Sequence, residues 1–185
     1  MIIKSFLIEK NISIVNDYYA VIFYGENIGL KDDLKNLIKN SYKSYDLLSF
    51  YQDDILKNPK ILNEQILNTS LFSKKKVIIV NETSEKLRSY ILDALKQFQE
   101  DVKIFFFAEN LDKKSNLRSY FEKEKKLAIV PCYQDNEKTL SFYLRNKFKD
   151  YKGLNQELIN RLIKNSGLDR NFLTQEIEKI KSLSL

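Results

Sequence analysis

The chain has 185 residues, of which 43% are hydrophobic, and its 31 Lys and Arg against 25 Asp and Glu leave a formal charge of +6. It contains no histidine, which excludes imidazole-based catalytic triads and histidine metal sites. The single Cys132 cannot form an internal disulfide and indicates a reducing, cytoplasmic setting, and no signal peptide or membrane-spanning apolar run is found.

Short continuous apolar runs, rich in β-branched and aromatic residues, predict strands that are buried on both faces of a sheet. In chain order these runs cover residues 20–24, 77–80, 104–108 and 127–130, and residues 45–50 are a weaker candidate. Apolar positions at helical spacing follow Asn27, a candidate N-cap, and recur from Leu87 and from Leu117. Strands that alternate with helices predict an α/β fold with a mainly parallel, helix-covered sheet.

The pattern changes after Tyr133, where three helical stripes follow one another without a strand signal. The stripes are Leu140, Tyr143, Leu144 and Phe148, then Leu158, Ile159, Leu162 and Ile163, and finally Leu173, Ile177 and Ile180 after a candidate cap at Asp169. We therefore expect two domains, an α/β domain over residues 1–135 and a small all-helical domain over residues 136–185. A parallel sheet followed by a helical lid is the layout of AAA+ modules, although the pattern alone leaves other α/β folds open.

The sequence lacks the phosphate-binding loop of P-loop enzymes, G-x-x-x-x-G-K-[ST], whose amides and lysine hold the phosphates. The first strand runs instead into Gly25 and Gly29, which are too close together, and Asp32 follows Lys31 where a magnesium-binding hydroxyl should stand. We interpret the glycines as a tight strand-to-helix turn. No pair of carboxylates has a spacing suited to acid–base chemistry. The sequence thus predicts no catalytic site, no metal site and no cofactor.

Four short segments follow one another in an order that is typical of one protein family. They are Tyr24-Gly25-Glu26, Ser70-Leu71-Phe72-Ser73-Lys74-Lys75-Lys76-Val77, Leu111-Asp112-Lys113-Lys114-Ser115-Asn116-Leu117, and Gly167-Leu168-Asp169 with Leu173 and Glu176-Ile177-Glu178-Lys179-Ile180. Together they resemble the delta subunit of the bacterial DNA polymerase III clamp loader, from about residue 18 to the end of the chain.

This resemblance implies an AAA+ fold with a degenerate P-loop that does not hydrolyse ATP, followed by a helical lid and a helical collar domain. Nothing in the chain corresponds to the collar, so we expect a sequence truncated after its second domain. The resemblance also implies that the protein binds the sliding clamp (beta) and helps to open it for loading onto primed DNA, together with the other clamp-loader subunits. The family's clamp-binding element falls on Leu71 and Phe72, with Leu67 and Ser70 beside them.

The apolar pattern before this element supports an exposed surface independently of the resemblance. On a helix that begins at Ile61, Leu62 and Ile66 lie on one face, whereas Leu67 and Leu71 fall on nearly the opposite side. Apolar side chains on a second face need a cover. The cover is either the clamp, as the resemblance implies, or a neighbouring element of the same domain.

Basic residues suggest a weak contact with DNA through its phosphates. The candidates are Lys113, Lys114, Arg118, Arg145, Lys147 and Lys149. A solvated charged surface, or the Lys-rich composition that an AT-rich genome produces, would account for the same residues. Lys74, Lys75 and Lys76 are expected at the rim of the clamp contact, where charge affects the encounter rate more than the affinity. An active P-loop NTPase and a simple basic nucleic-acid-binding module are the alternative functions.

Overall fold

The computed structural model describes residues 1–68, 75–149 and 155–182. Contacts between Cα atoms divide the chain into two compact units. The first comprises Met1–Glu26 and Lys31–Cys132, and the second comprises Asn27–Leu30 and Tyr133–Leu185. The assignment of two domains at residues 1–135 and 136–185 stays a prediction, because a division by contacts does not test whether either part folds alone.

The apolar runs form the sheet of the first unit. Within the described residues its strands are β1 (Ala20–Tyr24), β2 (Asp46–Tyr51), β3 (Lys76–Thr83), β4 (Val102–Ala108) and β5 (Leu127–Pro131). Neighbouring strands pair in parallel in the order β2-β3-β4-β1-β5. β1, β3, β4 and β5 are almost wholly buried, whereas β2, at one edge of the sheet, is partly exposed. The predicted parallel α/β sheet is therefore confirmed.

Helices cover the sheet because each one presents an apolar side to it. They are α1 (Ser5–Lys10), α2 (Ile28–Ser41), α3 (Gln52–Lys57), α4 (Ile61–Leu67), α5 (Arg88–Lys96) and α6 (Asn116–Lys123), with 3₁₀ turns at Ile12–Asp17 and Glu85–Leu87. One core cluster joins Ile22, Ile78, Ile104 and Phe106 of the strands to Ile55, Leu62, Ile66, Ile91, Leu117 and Phe121 of the helices. In α2, Leu34 and Ile38 are fully buried.

The first three residues, for which the sequence carries no distinctive signal, lie beside β5. The Ile3 N–H donates to the Ile129 carbonyl at 2.9 Å, and the Ile129 N–H donates to the Met1 carbonyl at 2.8 Å. The outer edge of β5 is thereby paired by a short parallel bridge.

The second unit contains α7 (Glu137–Lys147), α8 (Gln156–Ser166) and α9 (Arg170–Ser182). Its core consists of Leu140, Tyr143, Leu144, Phe148, Ile159, Ile163, Leu173 and Ile177, with Leu162 and Ile180 packed against it. The inclusion of Leu158 in the apolar stripe of α8 was wrong, because its side chain is 37% exposed while its neighbour Ile159 is fully buried. A helix of this length buries one stripe, and Leu158 lies beside that stripe.

Both predicted N-caps are present. The Asn27 side-chain oxygen accepts the Leu30 N–H at 3.0 Å. The Asp169 carboxylate accepts the N–H groups of Asn171 and Phe172 at 2.8 and 3.2 Å. These contacts satisfy amides that the first turn of a helix leaves without a partner. None of the helices within the described ranges is both long enough and apolar enough to cross a membrane.

Candidate functional site

The connection between β1 and α2 stands where a P-loop enzyme would hold its phosphates. It has three residues, Gly25, Glu26 and Asn27, against the eight positions of the phosphate-binding motif. Gly25 has a φ of +128°, its N–H donates to the Glu109 carbonyl at 3.0 Å, and a Cβ at this position would lie 2.3 Å from the Cys132 carbonyl oxygen. Gly25 therefore allows the backbone of this connection to lie against the Cys132 backbone, which a residue with a Cβ atom could not do.

Lys31, the lysine nearest to this connection, is used within the first unit. Its ammonium group donates to the Ala108 carbonyl at 2.9 Å, at the end of β4. Burial lowers the pKa of Lys31, while the acidic neighbours Glu109 and Asp32 oppose this shift. The lysine thus satisfies a strand-end carbonyl rather than projecting from the β1–α2 connection.

A polar residue near the end of β3 is also held by contacts within the first unit. The Asn81 amide, in the last part of β3, donates to the Ser49 hydroxyl at 3.0 Å and to the Phe50 carbonyl at 3.2 Å. The next residue, Glu82, has a φ of +56°. Over the described part of the chain, no group of three or more Cys, Asp or Glu side chains is arranged to hold a metal ion.

Helix α4 leads directly to the predicted clamp-binding element. Leu62 and Ile66 are fully buried, whereas Leu67, the last residue of α4, is 53% exposed. The prediction that this helix continues to Ser-Leu-Phe was wrong, because Asn68 leaves the helical region with φ −75° and ψ 64°. The helical-face argument therefore holds for Leu67 and does not extend to Leu71. Ser70, Leu71 and Phe72 themselves lie outside the described residues.

The lysines on the far side of this element have different environments, and the prediction that all of them lie at an exposed rim was wrong for one. Lys75 is exposed and its ammonium lies 3.7 Å from the Asp101 carboxylate. Lys76 is only 6% exposed, and its ammonium donates to the carbonyls of Gln65 at 3.1 Å and Asn68 at 2.5 Å. Those carbonyls lie at the C-terminal end of α4, where helix geometry leaves them unpaired. Lys74 is outside the described residues.

The candidate DNA-binding residues of the first unit separate into two kinds. Lys113 and Lys114 are exposed between β4 and α6. Arg118 is bound within the unit: its side chain is 16% exposed, its Nε donates to Glu122 at 2.8 Å, and its guanidinium lies 5.0 Å from the centre of the Tyr24 ring. The two lysines can therefore reach a phosphate without losing an internal contact that the structure gives them, whereas Arg118 cannot.

In the second unit, Arg145, Lys147 and Lys149 are exposed near the end of α7. The Arg145 guanidinium donates to the Gln156 side-chain oxygen. The Lys147 ammonium lies 5.2 Å from the centre of the Tyr143 ring. All three residues remain candidates for phosphate contacts.

A buried polar cluster in the second unit was not found by sequence reasoning. Asp135 and Arg170 form an ion pair with 4% and 2% of their side chains exposed, through Nε and Nη2 at 2.8 and 2.9 Å. The amide of Asn27 and the hydroxyl of Thr139 complete the cluster by donating to the Asp135 carboxylate at 2.8 and 2.7 Å. Asp135 and Arg170 are 35 positions apart in the sequence, and no local pattern connects them. The cluster satisfies every charge it buries and so has a structural role.

Comparison with known proteins agrees with the resemblance found in the sequence. No protein-family model matches the chain. A probable DNA polymerase III subunit delta of Rickettsia prowazekii (strain Madrid E) is 24% identical over 163 residues, which cover 87% of this chain and 49% of that protein. The chain thus spans about half the length of the curated relative that it matches.

Two solved structures share the fold. The Bacillus subtilis DNA clamp loader delta protein matches with a TM-score of 0.70 and 16% identity, over 97% of this chain and 57% of that one. Domain III of the Thermotoga maritima replication initiation protein DnaA matches with a TM-score of 0.52 and 12% identity, over 94% of this chain and 81% of that one. The resemblance to the clamp-loader delta subunit and the AAA+-like α/β fold class are both confirmed.

Proposed function

We propose that this chain, similar in sequence and fold to bacterial clamp-loader delta subunits, supplies the clamp-binding part of such a subunit. It binds the sliding clamp and helps to open it for loading onto primed DNA, in a cytoplasmic assembly with the other clamp-loader subunits. The observation that carries this proposal is the end of α4. A helix held in the core by Leu62 and Ile66 ends with exposed Leu67, immediately before the segment that the resemblance assigns to the clamp.

Leu71 and Phe72 are the proposed anchors of this contact. Burial of one such side chain in an apolar pocket contributes about 1.5–3 kcal/mol, and interface energy is concentrated in a few anchors of this kind. Loss of both should therefore cost about 3–6 kcal/mol, which is about two to four orders of magnitude in clamp affinity.

The test compares Leu71→Ala/Phe72→Ala with the unchanged chain in a titration against the sliding clamp and in thermal unfolding. We expect a large loss of affinity and a nearly unchanged melting temperature. The control is Leu158→Ala/Phe172→Ala, which removes the same two side-chain types from positions that are 37% and 43% exposed in the second unit, and which should leave clamp affinity unchanged. Unaltered clamp binding by Leu71→Ala/Phe72→Ala would contradict the proposed function. A large fall in its melting temperature would show that Leu71 and Phe72 belong to the core.

The proposed subunit does not hydrolyse ATP. This part of the proposal is supported by the three-residue β1–α2 connection, by the close approach of Gly25 to Cys132 and by the engagement of Lys31 with the Ala108 carbonyl. In P-loop enzymes a glycine-rich loop, the N-terminus of the following helix and the motif lysine hold the phosphates. A P-loop NTPase, the alternative from the enzyme class, would show magnesium-dependent ATP binding at micromolar concentration in a nucleotide titration, and we expect none.

A DNA contact is the second part of the proposed role. It is supported by the exposure of Lys113 and Lys114 and of the basic residues near the end of α7. A simple nucleic-acid-binding module would bind DNA but not the clamp, so a clamp pull-down without DNA separates that alternative from the proposed function.

A further inference from the structure

Lys76 occupies an unusual position for a lysine in a basic run. It is the first residue of β3, and it is only 6% exposed, although its neighbour Lys75 is exposed. A lysine is rarely buried unless its ammonium group has partners. Here the partners are two main-chain carbonyls, Gln65 at 3.1 Å and Asn68 at 2.5 Å.

These two carbonyls belong to the C-terminal end of α4 and to its capping residue. The last carbonyls of a helix have no partner within the helix, and the helix dipole places partial negative charge on them. The buried Lys76 ammonium satisfies both of them. Within the described residues α4 ends at this point, since Asn68 has a non-helical ψ of 64°.

Lys76 is itself held by the sheet. It pairs with Asp46 of β2 and with Val102 of β4, and its N–H donates to the Asp101 carbonyl at 2.8 Å. The preceding residue is fixed as well, because the Lys75 carbonyl accepts the Asp46 N–H at 2.8 Å. The side chain of Lys76 therefore links the end of α4 to the start of an interior strand, and residues 69–74 are the chain between these two points.

We propose that Lys76 is a positioning residue for clamp binding: it acts through the ends of segment 69–74 and does not itself contact the clamp. This inference rests on the proposed function, which places the anchors Leu71 and Phe72 in that segment. A binding segment whose two ends are held in place has less conformational freedom to lose when it binds, which increases affinity without any added contact. Lys76, at the basic start of β3, thereby contributes to clamp binding by positioning segment 69–74 and not by attracting opposite charge.

The inference is tested by Lys76→Met, which keeps an unbranched apolar stem and removes the donors. We expect clamp affinity to fall about tenfold, which corresponds to about 1.4 kcal/mol. Lys76→Arg keeps donors for the two carbonyls and should return affinity to within about threefold of the unchanged chain. Lys75→Met is the matched control: it removes the same charge from the adjacent, exposed position and should change affinity less than about twofold. An equal loss in Lys75→Met and Lys76→Met would show that only the charge matters and would overturn the inference.

A second measurement separates positioning from a general loss of stability. Lys76→Met is combined with Leu71→Ala/Phe72→Ala, and clamp affinity is measured at a temperature at which all variants are folded. If Lys76 acts through the anchors, its replacement has no further effect once they are gone, whereas independent effects would add. Additive losses would overturn the inference. Should Lys76→Met not fold, Lys76→Arg decides alone, because a folded Arg variant with more than a tenfold loss contradicts the proposed donor role.

The failure of this inference and the failure of the proposed function have different signatures. If Leu71→Ala/Phe72→Ala leaves clamp binding unchanged, the proposed function fails and Lys76 has no segment to position. If that variant loses binding while Lys76→Met binds normally, only the positioning role of Lys76 is wrong.

Discussion

Asp135 and Arg170 show how a single buried pair can support a small helical unit. Burial by itself raises the pKa of the Asp135 carboxyl, but the Arg170 guanidinium and the hydrogen bonds from Asn27 and Thr139 outweigh burial and leave this pKa below its ordinary 3.8. A carboxyl with a lowered pKa stabilises the folded state above its unfolded pKa, and this contribution is lost as the pH falls through the folded value. The pair is therefore stabilising at neutral pH and lost in acid.

We predict that Arg170→Met lowers the free energy of unfolding by about 3–5 kcal/mol at pH 7, because it leaves a buried carboxylate without its cation. In the variant, burial raises the pKa of Asp135, so that protonation now favours the folded state. The difference between the unchanged chain and the variant should therefore shrink from pH 7 to pH 4 in urea unfolding. A difference that stays constant over this range would contradict the assigned role of Arg170.

At the scale of elements, α4 has one face in the core and a last residue outside it. Ile66 is fully buried in the cluster under the sheet, and Leu67, the next residue, is 53% exposed. The two side chains have nearly the same volume, so alanine substitutions at the two positions separate an effect on core packing from an effect on an exposed surface.

Ile66→Ala is expected to lower the free energy of unfolding by about 2–5 kcal/mol, because it removes buried methyl groups and leaves a cavity. Leu67→Ala should change it by less than about 0.5 kcal/mol, as exposed substitutions usually do. Clamp affinity should show the opposite order at temperatures where both variants are folded, with a loss in Leu67→Ala alone. Urea unfolding and a clamp titration measure the two effects. A destabilisation by Leu67→Ala as large as that by Ile66→Ala would mean that another part of the chain covers this side chain.

At the scale of the whole molecule, the excess of positive charge is expected to produce weak DNA binding that ignores base sequence. Contacts of this kind go to phosphates, and they release counterions, so affinity falls steeply with salt. The assembled clamp loader would add further contacts and strengthen the binding.

Lys113→Gln/Lys114→Gln should weaken DNA binding by the chain and reduce the slope of log affinity against log salt by about two, since each lost phosphate contact reduces it by about one. Lys39→Gln/Lys43→Gln removes the same charge from exposed positions on and after α2 and serves as the control. Fluorescence anisotropy over a salt series gives both slopes. Equal slopes for the two double variants would show that only net charge matters and that Lys113 and Lys114 make no specific contact.

The sequence by itself determined the strands, most of the helical stripes and both N-caps, because these features depend on neighbours within a few residues. Buried strands need continuous apolar runs, and a cap needs a side-chain oxygen beside the first free amides, as at Asn27 and Asp169. The resemblance to the clamp-loader delta subunit was also readable from short segments in order. Only the tertiary structure decided the strand order, the burial of Lys76 and the pairing of Asp135 with Arg170. In each of these cases the partner is brought near by folding, and a periodic pattern along the chain contains no information about which distant residue that will be.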